Sequence, residues 1–302
     1  MTGQVPVQRD DVQPPLAAVR QAVAIALAED LLPLGDLTAA LIPGTSHGRA
    51  AFVARAPGVV AGTRCVEQTC SQVDPGLEVT WVVQDGGEIG PGGVIGRVEG
   101  QMRSLLTAER TALNFLCHLS GVATAASRYV QAAHEANPSA RIWDTRKTTP
   151  GLRSLEKAAV RAGGATNHRG SLSEGVLIKD NHLGGLSIGE AVRVALERWP
   201  GRMVEVECDR MGQVTEALEA GATLVMCDNM NPDQVRACVR LVRAHPRGAS
   251  GSVLVEASGG ITLENVADYA KAGADVISVG ALTHSVVALD IGLDLESVVR
   301  SA

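Results

Sequence analysis

From residue 140 onward the chain alternates short apolar runs with amphipathic stretches of helical period, and this rhythm narrows the possible folds more than any other feature. RIWDT precedes a helical pattern from about Leu152, EGVLIK one from Ile188, and MVEVE one from Gln213. ATLVMC leads to a helix from Pro232, SVLVEA to one from Leu263, and ADVISVG to a final apolar segment. Continuous apolar runs suit strands covered on both faces, so six such βα units predict a parallel sheet. Closure into an α/β barrel is expected over a doubly wound sheet. No GxGxxG follows the first strand, and polar groups recur at nearly every strand end, which in barrels is where chemistry sits.

The first part of the chain has a different pattern. Residues 16–32 show helical periodicity and stop before Pro33. The runs RAAFVARAPG, GVVAGTRCVEQTC, LEVTWVVQDGGEI and GVIGRVEG read as short β segments. Asp85-Gly86-Gly87 and Pro91-Gly92-Gly93 supply the turn chemistry between them, giving a small sheet with a packed helix. A long helical pattern from Ser104 to Glu135, with a break expected at Ser120-Gly121, crosses into the βα region.

Composition excludes several classes of function. A chain of 302 residues with 45% hydrophobic content can bury a large core in two domains. Net charge is −6, and three Trp, two Tyr and two Phe cannot build base-stacking platforms, so nucleic acid is not an expected partner. The stretch up to Pro15 is polar without an apolar core, and no run of eighteen apolar residues occurs, so neither a signal peptide nor a membrane span is expected. Six cysteines without a CxxC pair (Cys65, Cys70, Cys117, Cys208, Cys227 and Cys238) read as reduced core thiols, and the expected compartment is the cytoplasm. Only four of 27 basic residues are Lys, and Lys147, Lys157 and Lys179 fall within one 33-residue window.

The strand ends carry the chemistry. RIWDT ends in Asp144-Thr145-Arg146-Lys147, VLIK in Lys179-Asp180-Asn181-His182, VEVE in Glu207, LVMC in Asp228-Asn229, LVEA in Ser258-Gly259-Gly260 and VISV in Gly280. Asn167-His168-Arg169 stand just before the second of these strands. Residues 141–179 hold eight Lys/Arg against three Asp/Glu, a local +5 in an acidic chain, which is the field a small polyanion needs. Each element also has a structural explanation. Arg146-Lys147 could be solvated, although Pro150-Gly151 bounds their loop, and His168-Arg169 could be surface residues, although Gly163-Gly164 before them implies a close backbone approach. Lys179 at the end of an apolar strand needs an anion or a carboxylate, so it is either a ligand or half of an ion pair. Glu205 and Glu207 lie two apart and share one side of a strand; the deeper Glu205 suits a buried cation, and Glu207 suits a sugar hydroxyl or Mg²⁺. Ser258-Gly259-Gly260, opening a helix, can cradle phosphate, with Gly280 as the second half of that site.

Taken in order, these stretches resemble the quinolinate phosphoribosyltransferase family. The matching segments are ALAEDLLPLGDLT, AERTALNFL, LSGVAT, DTRKTTPGLR, KAAVRAGGATNHR, VLIKDNH, VEVECD, EASGGI, VGALTHS and ALDIGLD. The resemblance implies an N-terminal α/β sandwich domain, here residues 1–115, and a C-terminal open α/β barrel, residues 116–302, with the last residues able to pack back on the first domain. It implies transfer of the phosphoribosyl group of phosphoribosyl pyrophosphate to quinolinate with decarboxylation, in a homodimer with shared sites. Carried over by position, Thr145, Arg146, His168, Arg169 and Lys179 bind quinolinate, joined by Arg110 from the neighbouring chain. Lys147 contacts pyrophosphate, and Glu207 and Asp228 face the ribose hydroxyls and a Mg²⁺ cofactor, directly or indirectly. Ser258, Gly259, Gly260, Val279, Gly280 and Ala281 bind the 5-phosphate, and Lys147, Lys179, Glu207 and Asp228 are the catalytic set. The chain departs from the family pattern at Ala165, Gly170-Ser171 and Glu174, all around His168-Arg169. Other activities fit parts of the pattern: a Schiff-base aldolase-type barrel using Lys179, a sugar-phosphate sensor without turnover, and a related transferase acting on nicotinate.

Overall fold

The computed structural model describes residues 12–300; the rest of the polar N-terminal stretch lies outside them. The described chain divides into two compact units. One takes the residues up to Ser127, Thr148–Gly164 and those from Leu282 onward; the other takes Arg128–Lys147 and Ala165–Ala281.

The first unit is built on a four-stranded antiparallel sheet of order β12-β1-β5-β3, where β1 is Ser46–Ala54, β3 Glu78–Trp81, β5 Val94–Gln101 and β12 Ile291–Arg300. A short pair, β2 (Gly58–Val59) with β4 (Glu88–Ile89), lies outside that sheet. Phe52, Ile95 and Val98 of the sheet pack with Val66 and Cys70 of helix α2 (Thr63–Val73) and with Leu105, Leu113 and Leu116 of helix α3 (Met102–Ala136), forming one apolar core. Helix α1 (Leu16–Leu31) buries Val19, Val23 and Leu27, spaced one turn apart. The final apolar segment is therefore not another element of the βα series. It runs antiparallel to β1, with Ala54 opposite Ile291.

Two local expectations fail here for physical reasons. TRCVEQTC is β-rich in composition yet forms α2. Val66, Thr69, Cys70 and Val73 recur at helical spacing, and Asp85 caps the helix start, accepting from the Gly62 and Thr63 N–H groups at 3.1 Å each. Helix α3 continues through Ser120-Gly121 for 35 residues. Gly121 is small because a Cβ there would lie 2.4 Å from the Val287 carbonyl oxygen, not because the helix breaks. Likewise Gly163 approaches the Ala123 carbonyl oxygen, which a Cβ would meet at 2.2 Å, so this glycine pair serves packing.

The second unit is a six-stranded, all-parallel sheet of order β6-β11-β10-β9-β8-β7. The strands are β6 Arg141–Trp143, β7 Val176–Ile178, β8 Val204–Cys208, β9 Leu224–Asp228, β10 Leu254–Ser258 and β11 Val276–Ser278. Each strand from β7 to β11 lies beside its sequence neighbour, and β6 joins at β11. A doubly wound sheet reverses direction midway, so this circular order is that of a barrel left open between β6 and β7. Helices α4 (Arg153–Ala162, in the first unit), α5 (Ile188–Arg198), α6 (Met211–Ala220), α7 (Pro232–Ala244), α8 (Pro246–Ala249), α9 (Val266–Lys271) and α10 (Ala281–His284) follow in chain order. Ser187 and Asn231 cap α5 and α7 through reciprocal capping boxes, which is why those starts were legible. Helix α6 begins at Met211, two residues before the expected Gln213, and α9 at Val266, three after Leu263.

The Gly121 contact gives a test with a decisive sign. Helix propensity alone favours Ala over Gly by about 1 kcal/mol. The 2.4 Å approach predicts instead that Gly121→Ala destabilises the protein by about 1–3 kcal/mol in urea unfolding.

Candidate active site

Strand parity builds the site. Residues two apart on a strand face the same side, and the inward pairs Leu177/Lys179, Met226/Asp228 and Glu256/Ser258, with Glu207 and Ser278, line one cavity of about 230 Å³. Thr145, Arg146 and Lys147 join them from the loop after β6, and His168 and Arg169 from the segment before β7.

That segment occupies the open edge of the barrel. Thr166 bridges to Trp143 in parallel fashion; its N–H donates to the Ile142 carbonyl at 2.9 Å, and the Asp144 N–H donates to the Thr166 carbonyl at 3.2 Å. Buried Asp144 then takes the His168 N–H on one oxygen at 2.8 Å and Asn167 Nδ2 on the other at 2.7 Å. Asp144 therefore sets the position of the His168 backbone. The Arg169 guanidinium donates to the Gly175 carbonyl at 2.8 Å, tying it to the approach of β7. Ala165 is buried, and Glu174 closes the turn after Arg169 by accepting from the Gly170 N–H at 2.6 Å. The departures at Ala165, Gly170, Ser171 and Glu174 thus form a turn that still delivers both basic residues to the cavity.

The charges divide into two depths. Near the mouth, Lys179 donates to the Glu207 carboxylate, both partners remaining partly exposed. Lys179 is therefore in an ion pair and also lines the cavity. Deeper, His168 Nε2 lies 2.9 Å from Glu205 Oε2, and its ring meets Trp143 edge-on with centroids 5.2 Å apart. Glu205, expected to hold a buried cation, has His168 as that partner. Burial pushes Glu205 up to about 7, against the pull of Arg169, and pushes fully buried Glu256 well above the usual carboxylate range. Desolvation lowers Arg169, and the nearby charge of Arg146 adds to that shift. These two guanidinium groups act on each other across one cavity.

The glycine loop after β10 follows the expectation in part. Gly259 (φ +92°) and Gly260 (φ +62°) are left-handed, and a Cβ on Gly259 would lie 2.3 Å from Asn229 Oδ1. Asn229 itself is left-handed, its N–H donates to the Ser258 carbonyl at 2.9 Å and its Nδ2 to Asp228 at 2.6 Å. The loop does not open a helix directly, because Thr262 and Asn265 form an intervening turn with the Thr262 N–H on Asn265 Oδ1 at 2.8 Å. The Ser258–Gly260 turn therefore offers loop N–H groups, whereas Ala281 at the next strand end opens helix α10. Ser258 lines the cavity, whereas Gly259, Gly260, Val279, Gly280 and Ala281 stand at the adjoining strand ends without lining it.

Of the eight basic residues in the 141–179 window, four line the cavity: Arg146, Lys147, Arg169 and Lys179. Arg153, Lys157 and Arg161 lie on α4 and do not line it. Arg110 stands exposed on α3 and is not among the lining residues. His182 holds the β7 end by accepting the Lys179 N–H on Nδ1 at 3.2 Å and does not line this cavity. Sequence reasoning named Asp144 at its strand end without giving it a role, and it missed Glu256 and Ser278. The signal was available: Glu256 and Ser258 repeat the two-residue spacing of Glu205 and Glu207 inside an apolar strand.

An open α/β barrel with four cations and three carboxyl groups around one strand-end cavity belongs to the class that handles small, multiply charged anions. More specifically, the chain belongs to the quinolinate phosphoribosyl transferase family, whose N-terminal domain model matches residues 36–120 and whose C-terminal domain model matches residues 122–294. It is 42% identical over 284 residues to the carboxylating nicotinate-nucleotide pyrophosphorylase of Mycobacterium leprae, covering 92% of this chain and 97% of that one. It is 40% identical to the human protein of that name, covering 85% of each. Among solved structures, the nicotinate-nucleotide pyrophosphorylase of Francisella tularensis superposes with a TM-score of 0.87 at 35% identity, covering 94% of this chain and 98% of that one.

Asp144→Ala removes the acceptor of two donors that shape the His168 segment and should cost about 2–4 kcal/mol in urea unfolding. Asp144→Asn, which keeps one acceptor oxygen, should cost less than half of that.

Proposed function

We infer that this protein transfers the 5-phosphoribosyl group of phosphoribosyl pyrophosphate to quinolinate and releases nicotinate mononucleotide, pyrophosphate and CO2. The observation that carries this is the convergence of Arg146, Lys147, Arg169 and Lys179, with His168, on one cavity. A dianion taken from water without partners is strongly penalised, so several cations must meet it together. Each charge-assisted hydrogen bond returns about 1.5–3 kcal/mol. Arg146, His168, Arg169 and Lys179 hold the two carboxylates, and Thr145 completes that wall.

The quinolinate nitrogen attacks the anomeric carbon as the bond to pyrophosphate breaks, and the developing charge on the ribosyl group resembles an oxocarbenium ion. Glu207 and Asp228, both lining the cavity, lie where they can meet the ribose hydroxyls and that positive charge. Lys147, exposed at the mouth, balances the departing pyrophosphate. Backbone N–H groups of Ser258–Gly260 and Val279–Ala281 hold the 5-phosphate. Attack leaves a pyridinium ring; when the 2-carboxylate departs as CO2 the electron pair of the broken bond stays on that ring carbon, stabilised by the adjacent positive nitrogen, and a proton from solvent then bonds to it. No dedicated base is required, and the residues' task is orientation and exclusion of water.

Two carboxylates on one cavity wall are hard oxygen donors suited to Mg²⁺, which keeps several waters. Glu207 and Asp228 would hold it, directly or through water, and bound there it supplies neutralisation of the pyrophosphate charge. Exposure of Arg110 outside the cavity lining supports a homodimer in which this residue reaches the partner's site. Six free cysteines support a reducing cytoplasm, and among the described residues no helix is long and apolar enough to cross a membrane.

The deciding assay is incubation with quinolinate, phosphoribosyl pyrophosphate and Mg²⁺, following nicotinate mononucleotide and CO2. Formation of both in equal amounts is expected; their absence, or borohydride trapping of a Lys179 Schiff base, would overturn the assignment. Arg146→Ala should lower kcat/KM for quinolinate by roughly two to three decades, the equivalent of losing ~3–5 kcal/mol at a buried ionic contact. Chelation of divalent ions should abolish turnover, with recovery on adding Mg²⁺ back.

A further inference from the structure

Behind the His168 ring lie two carboxyl groups, Glu205 and Glu256, both fully excluded from solvent. His168 Nε2 is 2.9 Å from Glu205 Oε2 and 3.8 Å from Glu256 Oε2, and one atom from each of the three side chains lies within 4.8 Å of the others. With both acids ionised, Glu205 Oε1, both Glu256 oxygens and the Ser278 hydroxyl, all buried, have no hydrogen-bond partner. Two adjacent anions in a dry interior repel, and orphaned acceptors there are rare in folded proteins.

We propose that Glu256 is a positioning residue for the reaction, a neutral carboxylic acid that donates its proton to Glu205 and so fixes the carboxylate that orients His168. One proton pairs Glu256 with Glu205 Oε1. The Ser278 hydroxyl, which can rotate, then donates to the remaining Glu256 oxygen, and the orphaned atoms are accounted for. His168 Nε2 lies 2.9 Å from Glu205 and 3.8 Å from Glu256, so the shared proton is carried on the Glu256 side of the pair. Burial, with the neighbouring Glu205, pushes Glu256 in the same direction, toward the neutral acid. Nε2 is committed to Glu205, so the orientation of the His168 ring at the cavity wall is set from behind by that carboxylate. A carboxyl–carboxylate pair thus sits behind His168 as second-tier support for quinolinate binding.

The kinetic consequence rests on the functional assignment above, but the protonation state does not. In the infrared spectrum, the full-length protein should show the carbonyl stretch of a protonated carboxylic acid that is insensitive to pH across the neutral range and is lost in Glu256→Gln. In steady-state kinetics, Glu256→Ala should raise KM for quinolinate about tenfold or more, leaving KM for phosphoribosyl pyrophosphate and kcat near wild type. Glu256→Gln, which keeps a donor toward Glu205, should restore most of that loss, whereas Glu205→Gln should not be tolerated equally. Three results would overturn the proposal: no such infrared band in the wild type, Glu256→Gln as damaging as Glu256→Ala, or a stoichiometric metal ion lost on mutation of Glu256. If the wild type shows the band but no turnover of quinolinate, the functional assignment fails and the buried pair stands.

Discussion

Like charges confined to one cavity repel, and the second unit is organised around holding them there. Arg146 and Arg169 are close enough to lower the latter's hold on its proton, and Lys179 and Lys147 share the same space. The barrel balances this without neutralising it. Glu207 takes Lys179, the Gly175 carbonyl takes part of the Arg169 guanidinium, and Glu205 takes His168 from behind. Lys179, Arg169 and His168 are thus anchored on one side while still lining the cavity, an arrangement that suits a doubly charged acid.

Parallel strands make such an arrangement inexpensive to build. Every strand of the sheet ends at the same rim, so a two-residue repeat of inward positions on each strand places Lys179, Glu207, Asp228, Ser258 and Ser278 around one mouth. The gap between β6 and β7 adds something a closed barrel lacks. Through that gap the 165–169 segment enters, held by Thr166 on the β6 backbone and by Asp144, and it carries His168 and Arg169 inward. The open edge is therefore a feature of the binding site.

The strand ends, the barrel closure and the basic residues of the mouth were legible in the sequence because they follow local rules: alternation, capping and charge at the end of apolar runs. Glu205 and Glu207 were separable by depth for the same reason. What the sequence concealed depends on contacts far along the chain. TRCVEQTC is helical because Asp85, more than a dozen residues later, caps it. Gly121 and Gly163 look like breaks or ligand approaches but serve backbone contacts with Val287 and Ala123. Counting charge along a window included Arg153, Lys157 and Arg161, which lie on α4 and do not line the cavity. The two-residue spacing of Glu256 and Ser258 marks Glu256 as an inward position, but its closeness to Glu205 depends on strands far apart in the chain and has no local sign.

The converging cations of the cavity match two carboxylates, not one. Titration calorimetry with quinolinate and with nicotinate, the acid lacking the 2-carboxylate, compares these directly. One additional charge-assisted contact implies that quinolinate binds about tenfold to hundredfold more tightly. Equal affinity for the two acids would mean that the converging cations serve some other anion, and the account would be wrong.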